Sequence, residues 1–419
     1  MLTVIPGLEV HTSLPGREDV MVGTCRFGLR RGQISSVFCY DDLYLSHPDA
    51  YAIDPALPLR AASYHSNGVH GALRDSAPDR WGRHLINWQA LYNGDSGVAG
   101  ARCLDELDYL IGVSDVSRQG ALRYALPGGK TFLSAEGEVP PIVELKRLLH
   151  SAREVALGND GKEQVKELLE AGSASLGGAR PKASVVDEGK ILLAKFSHPE
   201  DEWDVITWEK VALEIAMAAG IRTPRSKLLA IGSSSVLLLE RFDRSDSLLE
   251  GERIPYLSAM SLIGGRDGLS YDYVEVAEAL VDWASNARAE LEKLFRRAAL
   301  SVAINNTDDH LRNLGLLREE GRWGLSPAFD ININPDLRHT HVTAVYGETG
   351  AAIAESLGEF AEVCEVGTER ARSIVASTVK ASRQCAVLAK KHGCKQAEIT
   401  LLAGAVENRC AALEKVFGL

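Results

Sequence analysis

The 419-residue chain has no long apolar run, no paired-cysteine motif and no excess of positive charge. Each absence removes a class of function. No stretch approaches the ~20 apolar residues that a helix needs to cross a bilayer. The longest, at 235–239 and 401–406, are the size of core elements. The first residues lack a basic segment followed by a long apolar one, so no signal peptide is expected. The seven cysteines (Cys25, Cys39, Cys103, Cys364, Cys385, Cys394 and Cys410) are odd in number and form no C-x-x-C pair. They read as reduced, mostly buried thiols of a cytoplasmic protein, not as a disulfide framework or zinc site. The formal net charge is −11. Bulk electrostatics therefore does not draw nucleic acid to the surface, and DNA association would need a local basic patch or a separate DNA-binding partner.

What is present is an ordinary globular composition, 45% hydrophobic and 25% charged, long enough for two to three domains with a substantial core. No internal repeat stands out. The first ~125 residues are mixed: segments 20–27 and 35–40 alternate as strands, and 80–91 and 104–110 read as helices. Pro127 to Gly129 and the pair Pro140-Pro141 mark a boundary. Amphipathic helices are expected over 142–157 and 162–171, then a hairpin of 182–186 and 191–196 around Asp187-Glu188-Gly189-Lys190. A helix over 205–219 should stop at Gly220, and 228–231 and 236–242 should form a second hairpin. Helices then dominate: 274–283, 287–304, 361–391 with a possible break, and 396–417. The expected division is 1–125, 140–242 and 243–419, an α+β arrangement with a strand-rich small lobe before a helical large lobe, as in two-lobed kinases.

The sharpest chemical signal is Asn305-Asn306-Thr307-Asp308-Asp309-His310-Leu311-Arg312-Asn313, on the loop leaving a helix. Asp308 and Asn313 stand five apart, the spacing of a kinase loop in which the Asp accepts or orients the substrate hydroxyl proton and the Asn binds magnesium. Asp309 competes for the first role at a spacing of four. His310 has no second His or Cys at a zinc-ligand spacing. In Ser326-Pro327-Ala328-Phe329-Asp330-Ile331, a short apolar strand is expected to present Asp330 as the second carboxylate-type ligand of a hard cation.

Three further segments fit a nucleotide site. In Ser173 to Lys182, small residues let the backbone approach phosphates while Arg180 and Lys182 bring charge, although the spacing is not that of a Walker A loop. Lys195, near the end of an apolar strand, suits phosphate neutralisation, with Glu209 as helix partner and Glu214 as the alternative. In Leu239-Glu240-Arg241-Phe242-Asp243-Arg244, backbone groups could read an adenine edge with Phe242 as an apolar wall, and the charged side chains could also bridge to one another.

Taken in order, G-G-A-R-P-K, A-K-F, E-R-F-D-R, T-D-D-H-L-R-N and S-P-A-F-D-I resemble the HipA family of serine/threonine kinases, the toxins of bacterial type II toxin–antitoxin systems. N-terminal motifs extend the resemblance over nearly the whole chain, among them Asp54-Pro55 with Leu57-Pro58-Leu59, and Asp75 to Asp79. The resemblance implies a two-lobed, protein-kinase-like fold with ATP and Mg²⁺ as cofactors. Asp308 would be the catalytic acceptor, and Asn313 and Asp330 the metal ligands. Gly177, Gly178, Ala179, Arg180, Lys182 and Lys195 would face the phosphates; Glu240, Arg241 and Phe242 would hold the adenine, and His310 would line the same site. Ser175 would be an autophosphorylated serine. Its phosphate would add about −1.5 to −2 charge to a loop that must hold ATP phosphates.

The resemblance further implies a HipB-like helix-turn-helix antitoxin as partner, with DNA reached only through it, and an aminoacyl-tRNA synthetase as a protein substrate whose modification halts translation. No membrane partner is implied. Arg180-Pro181 and Asp309, where the family varies or often has glycine, are expected to tune substrate choice. The competing readings are a small-molecule or lipid kinase with the same catalytic loop, and a non-catalytic kinase-fold corepressor.

Overall fold

The computed structural model describes residues 5–14, 19–30, 33–94, 104–135, 138–159, 161–174, 180–245 and 251–419. The chain divides into two compact units, one of residues 1–199 and 238–257, the other of 200–237 and 258–419. The fold is mixed α+β, with an N-terminal sheet and a more helical C-terminal region.

In the first unit the elements are β1 (Ile5–Thr12), β2 (Val20–Arg30), β3 (Gln33–Tyr40), α1 (Asp42–Leu45), β4 (Ser63–Ser66), α2 (Gly71–Asp75), α3 (Arg80–Gly94), α4 (Glu106–Gly112), β5 (Arg123–Ala125), α5 (Leu145–Ala156), α6 (Lys162–Glu170), β6 (Lys182–Asp187) and β7 (Lys190–Phe196). The first five strands make one sheet in the order β4-β3-β2-β1-β5. Its inner face buries Val10, Val22, Cys25, Phe38 and Tyr124. Gly23 lies opposite Tyr40 in β3, and a Cβ there would sit 2.2 Å from the Cys39 carbonyl oxygen and 2.9 Å from Phe38 Cζ. The obstruction is largely backbone, so the strands would have to part. Gly23→Ala is expected to cost about 2 kcal/mol, read as a lower urea midpoint at unchanged slope.

The β6–β7 hairpin forms as the sequence suggests. Asp187 pairs with Lys190, and the two residues between them, Glu188 and Gly189, both take left-handed backbone (φ +49° and +76°), the geometry of the tight turn that matches strand twist.

The second unit begins with α7 (Val205–Ala218) and β8 (Ser226–Ile231); β9 (Ser234–Glu240) returns the chain to the first unit and β10 (Tyr256–Ser258) leads it back. Then come α8 (Ala259–Leu262), β11 (Tyr271–Asp272), α9 (Tyr273–Trp283), α10 (Ala287–Ala303), β12 (Gly315–Glu319), β13 (Arg322–Leu325), β14 (Thr343–Ala344), α11 (Ser356–Val363), α12 (Thr368–Ser382), α13 (Cys385–Lys391) and α14 (Gln396–Phe417). The broken helix foreseen over 361–391 is thus three helices. α7 stops at Gly220 (φ +81°), where the Gly220 and Ile221 N–H groups close back on Met217 and Ala216. Buried Trp208 in α7 donates its indole N–H to Glu398 of α14 at 2.9 Å, a polar tie inside an otherwise apolar helix packing.

The strand expected over 326–330 does not form. The Ser326 N–H closes the β12–β13 hairpin on Gly315, Pro327 has no N–H to give, and Ala328 donates to the Arg222 carbonyl. Asp330 then takes left-handed backbone (φ +56°), which no strand residue adopts. The six cysteines among the described residues are free thiols, and burial pushes Cys25, Cys364, Cys385 and Cys410 up to about 12, away from nucleophilic use. No described helix is long and apolar enough to cross a membrane.

Candidate functional site

The loop after α10 begins where the helix is forced to end. Asn305 takes φ +53°, its N–H bonds the Val302 carbonyl and the Asn306 N–H bonds that of Ser301. This is a Schellman ending with Asn in the place usually held by Gly, tolerated because Asn enters left-handed backbone more readily than other side-chain-bearing residues. Buried Leu311 and Leu314 pin the far end, accepting backbone bonds from Met260 and Ala259 at 3.1 and 2.7 Å.

Between these anchors the two aspartates face different ways. Asp308 is exposed. Asp309 is turned inward: the Tyr273 hydroxyl donates to its carboxylate, and the Thr343 hydroxyl donates to its carbonyl at 2.6 Å. Burial pushes the Asp309 carboxyl above its ordinary range, against hydrogen bonds from Tyr273 and Ser301 and the charge of Arg297. The spacing competition between Asp308 and Asp309 thus has a physical counterpart: Asp308 is exposed, and the Asp309 carboxylate is bonded by a buried tyrosine. Asn313 is buried and donates its amide N–H to the Asp308 carbonyl at 3.1 Å. That bond engages the amide nitrogen and leaves the amide oxygen as the group of the type a hard cation prefers. The His310 ring nitrogen Nδ1 is buried with no hydrogen-bond partner among the described residues.

The segment after Asp330 is laced to this loop. Asn332 N–H bonds the Asn306 side chain at 3.3 Å, the Asn334 amide bonds the Thr307 hydroxyl at 2.7 Å, and the Val342 N–H bonds the Thr307 carbonyl at 2.9 Å. The Asn332 amide also donates to the Asp330 carbonyl at 3.3 Å, helping to hold its left-handed turn. Buried Arg297 grips the Ser326 carbonyl at the segment's start. The segment carrying Asp330 is thereby held alongside the loop carrying Asp308 and Asn313.

In the first unit, two of the sequence motifs meet on one hairpin. Lys182 of β6 and Lys195 of β7 are directly opposed, so their side chains share a face. Both are buried, at 1% and 5% exposure. Two like charges so placed repel, which favours an anion nearby. The Lys182 ammonium pairs with Asp79, whose other oxygen caps the first turn of α3 at the Gly82 N–H, 2.7 Å away. Sequence reasoning placed Lys182 only at phosphates and gave Asp79 no role in holding it. Arg180 is half-buried beside them in sequence. Arg241 places its N–H on the Ile191 carbonyl at 3.3 Å, Glu240 meets Lys190 at 3.3 Å, and half-buried Phe242 lies 6.5 Å from the Tyr256 ring. The Arg241 side chain points elsewhere, into a buried ion cluster with Asp243 and Arg244. In the second unit Glu209 is buried on α7, while Glu214 is taken up by Lys210, Lys391 and His392. Ser175, Gly177, Gly178 and Ala179 lie outside the described residues.

The profile of the HipA-like C-terminal domain matches residues 174–386, just over half of the chain, and that of the HipA N-terminal domain matches residues 18–100. The chain belongs to the HipA family. No curated protein matches it in sequence. Among solved structures, the HipA of Shewanella oneidensis MR-1, determined as a toxin–antitoxin complex with HipB and operator DNA, superposes with a TM-score of 0.69 at 16% identity, covering 98% of each chain. The proinflammatory kinase CtkA of Helicobacter pylori gives a TM-score of 0.46 at 13% identity over 58% of this chain and 92% of its own. The Shewanella likeness is one of fold.

Family membership accords with the kinase expectation drawn from the motifs. Several residues that organise the HipA-type loop were not anticipated: Tyr273, Arg297, Asn332, Asn334 and Arg409. The alternation Asn332-x-Asn334 just after Asp330 was a usable signal, since closely spaced asparagines in a loop tend to bind backbone groups. Tyr273 and Arg409 come from other helices and Arg297 from α10 itself, and none of the three leaves a local trace. Among the described residues no group of three or more His, Cys, Asp or Glu is placed to hold a metal. Magnesium needs no such cage: it keeps several waters and takes one or two protein oxygens together with substrate phosphates. Asn313 and Asp330 are of that donor type, so they fit it.

Proposed function

We propose that this HipA-family chain is an ATP- and Mg²⁺-dependent serine/threonine protein kinase of the toxin type. The observation that carries the reading is the exposed Asp308 carboxylate on a loop whose Asn313 is tied back to the Asp308 carbonyl. In this reading Asp308 accepts a hydrogen bond from the substrate hydroxyl and orients it for in-line attack. Asn313 and Asp330 hold Mg²⁺ through oxygen, and the cation neutralises phosphate charge when bound. Lys195, Arg180 and the backbone of Gly177, Gly178 and Ala179 face the phosphates. Lys182, paired with Asp79, adds its field. Glu240, Arg241 and Phe242 hold the adenine, Arg241 through its carbonyl because its guanidinium and its N–H are committed elsewhere, and His310 contacts the nucleotide.

Ser175 is the regulatory phosphorylation site, and a HipB-like helix-turn-helix antitoxin supplies the DNA affinity that a chain of net charge −11 lacks. The protein target is an aminoacyl-tRNA synthetase, with arrest of translation as the consequence.

Purified protein incubated with ATP and Mg²⁺ should acquire phosphate on Ser175, mapped by mass spectrometry, and should pass phosphate to one member of a panel of aminoacyl-tRNA synthetases. Transfer to an aminoglycoside or a lipid with no protein label would overturn the protein-kinase reading. ATP binding with no transfer to any acceptor would favour the corepressor.

A further inference from the structure

The second unit contains a buried cation that the catalytic scheme leaves unused. Arg409, on α14, is 6% exposed. Its Nε donates to the Asn305 side-chain oxygen at 2.9 Å, and its Nη2 is buried without a hydrogen-bond partner among the described residues. Among the described residues no ion pair joins it to a carboxylate, and burial alone lowers its pKa. The adjacent buried charge-bearing group is His341, which burial and the charge of Arg409 bring down to about 4, so it stays neutral. A guanidinium placed this way is costly unless its hydrogen bond fixes something.

What it fixes is the orientation of one amide. Asn305 is fully buried, in left-handed backbone, at the start of the catalytic loop. An Asn amide can sit either way round. With its oxygen taken by Arg409, its nitrogen must point the other way, where it donates to the carbonyls of Asn334 and Asp336 at 2.7 and 3.3 Å. The Asn334 N–H answers on the Asn305 carbonyl at 3.1 Å, and the Asn334 side chain goes on to Thr307, next to Asp308. One side chain from the last helix thus sets the polarity of a chain of bonds that joins the loop of Asp308 and Asn313 to the segment that follows Asp330.

We infer that Arg409 is a positioning residue for phosphoryl transfer, acting through the Asn305 amide to hold the two catalytic segments in register. The inference rests on the kinase reading, since it assigns Arg409 a part in that reaction. Loss of a supporting group of this kind costs about 10- to 100-fold in activity, and the loss should fall on kcat because Arg409 is buried and acts through Asn305.

The test uses the full chain with Arg409→Met, Arg409→Lys, Asn305→Ala and the double variant Arg409→Met/Asn305→Ala. Thermal melts check folding, and steady-state phosphoryl transfer is paired with amide hydrogen exchange over 305–313 and 330–343. Arg409→Met should lower kcat about 10- to 100-fold with the KM for ATP changed by less than about threefold, and should speed exchange in both segments together. Arg409→Lys, which keeps a donor for Asn305, should recover most of the rate. The double variant should be no slower than the worse single one, as expected for one chain of bonds. Additive losses, an unchanged kcat, or faster exchange confined to α14 would overturn the inference. If Arg409→Met does not fold, the lysine variant and Asn305→Ala carry the same comparison. If the parent transfers no phosphate while the exchange pattern behaves as described, the kinase reading fails and the structural coupling stands.

Discussion

Asp308→Ala is expected to lower phosphoryl transfer by about 10³-fold, within the range lost when a positioned acid–base group is removed, while ATP affinity and melting temperature stay close to those of the parent. The side chain is exposed on the loop, so its truncation opens no cavity in the core. Asp309→Ala should behave in the opposite sense. Its carboxylate is the acceptor for the buried Tyr273 hydroxyl and lies in the field of buried Arg297. Removing it takes an acceptor from a buried hydroxyl and a negative charge from the surroundings of a buried guanidinium. The expected result is a loss of about 2–3 kcal/mol of stability, with catalysis reduced only as far as the loop loosens. The comparison is made by single-turnover transfer and urea unfolding on the same two variants. An inert Asp309→Ala beside an active Asp308→Ala would reverse the assignment of the acceptor.

How much of this could be read from the sequence depends on whether the cause was local. The stop of α7 at Gly220 and the Asp187 to Lys190 turn were legible because one or two residues with left-handed backbone decide them. The five-residue spacing from Asp308 to Asn313 was legible because it is set within one loop. The path of 326–330 was not. Its apolar residues suggest a strand, but Arg222 and Arg297, each distant in sequence, capture the backbone groups a strand would use. Likewise Lys182 carries a charge suited to phosphate, yet its nearest anion is Asp79, 103 residues away. Pairwise ties of that range leave no period and no spacing to read. Of the two uses the sequence offered for Arg241, the structure shows the ion pairing: the guanidinium lies in the cluster with Asp243, and the N–H bonds the Ile191 carbonyl of β7.

That ion cluster gives the largest stability effect expected in the molecule. Asp243 is 1% exposed and accepts from Arg241 Nε at 2.6 Å, from Arg244 Nη1 at 3.1 Å and from the Gly120 N–H at 2.7 Å. The two arginines also clasp backbone carbonyls at Ser117, Arg118 and Gly120. Truncation by Asp243→Ala removes the carboxylate that two buried guanidinium groups share and strands the Gly120 N–H. The expected cost is about 3–5 kcal/mol, the cost of breaking a buried pair by removing one member. Because Phe242 stands between Arg241 and Asp243, the KM for ATP should rise in any variant that still folds.

The same cluster carries a pH signature. Burial alone would push the Asp243 carboxyl up, but the charges of Arg241 and Arg244 and the hydrogen bonds from Arg241 and Gly120 outweigh it and hold the group well below the usual carboxylate range. A carboxyl depressed in the folded state adds stability that is complete above its unfolded value near ~3.9 and is lost as pH falls from there toward the folded value. The gap in urea midpoint between the parent and Asp243→Asn should therefore be full at pH 7 and narrow below pH ~4. A gap of constant size across that range would mean that the asparagine variant suffers from lost shape and hydrogen bonding alone, and that the charge of Asp243 does not hold this corner of the first unit together.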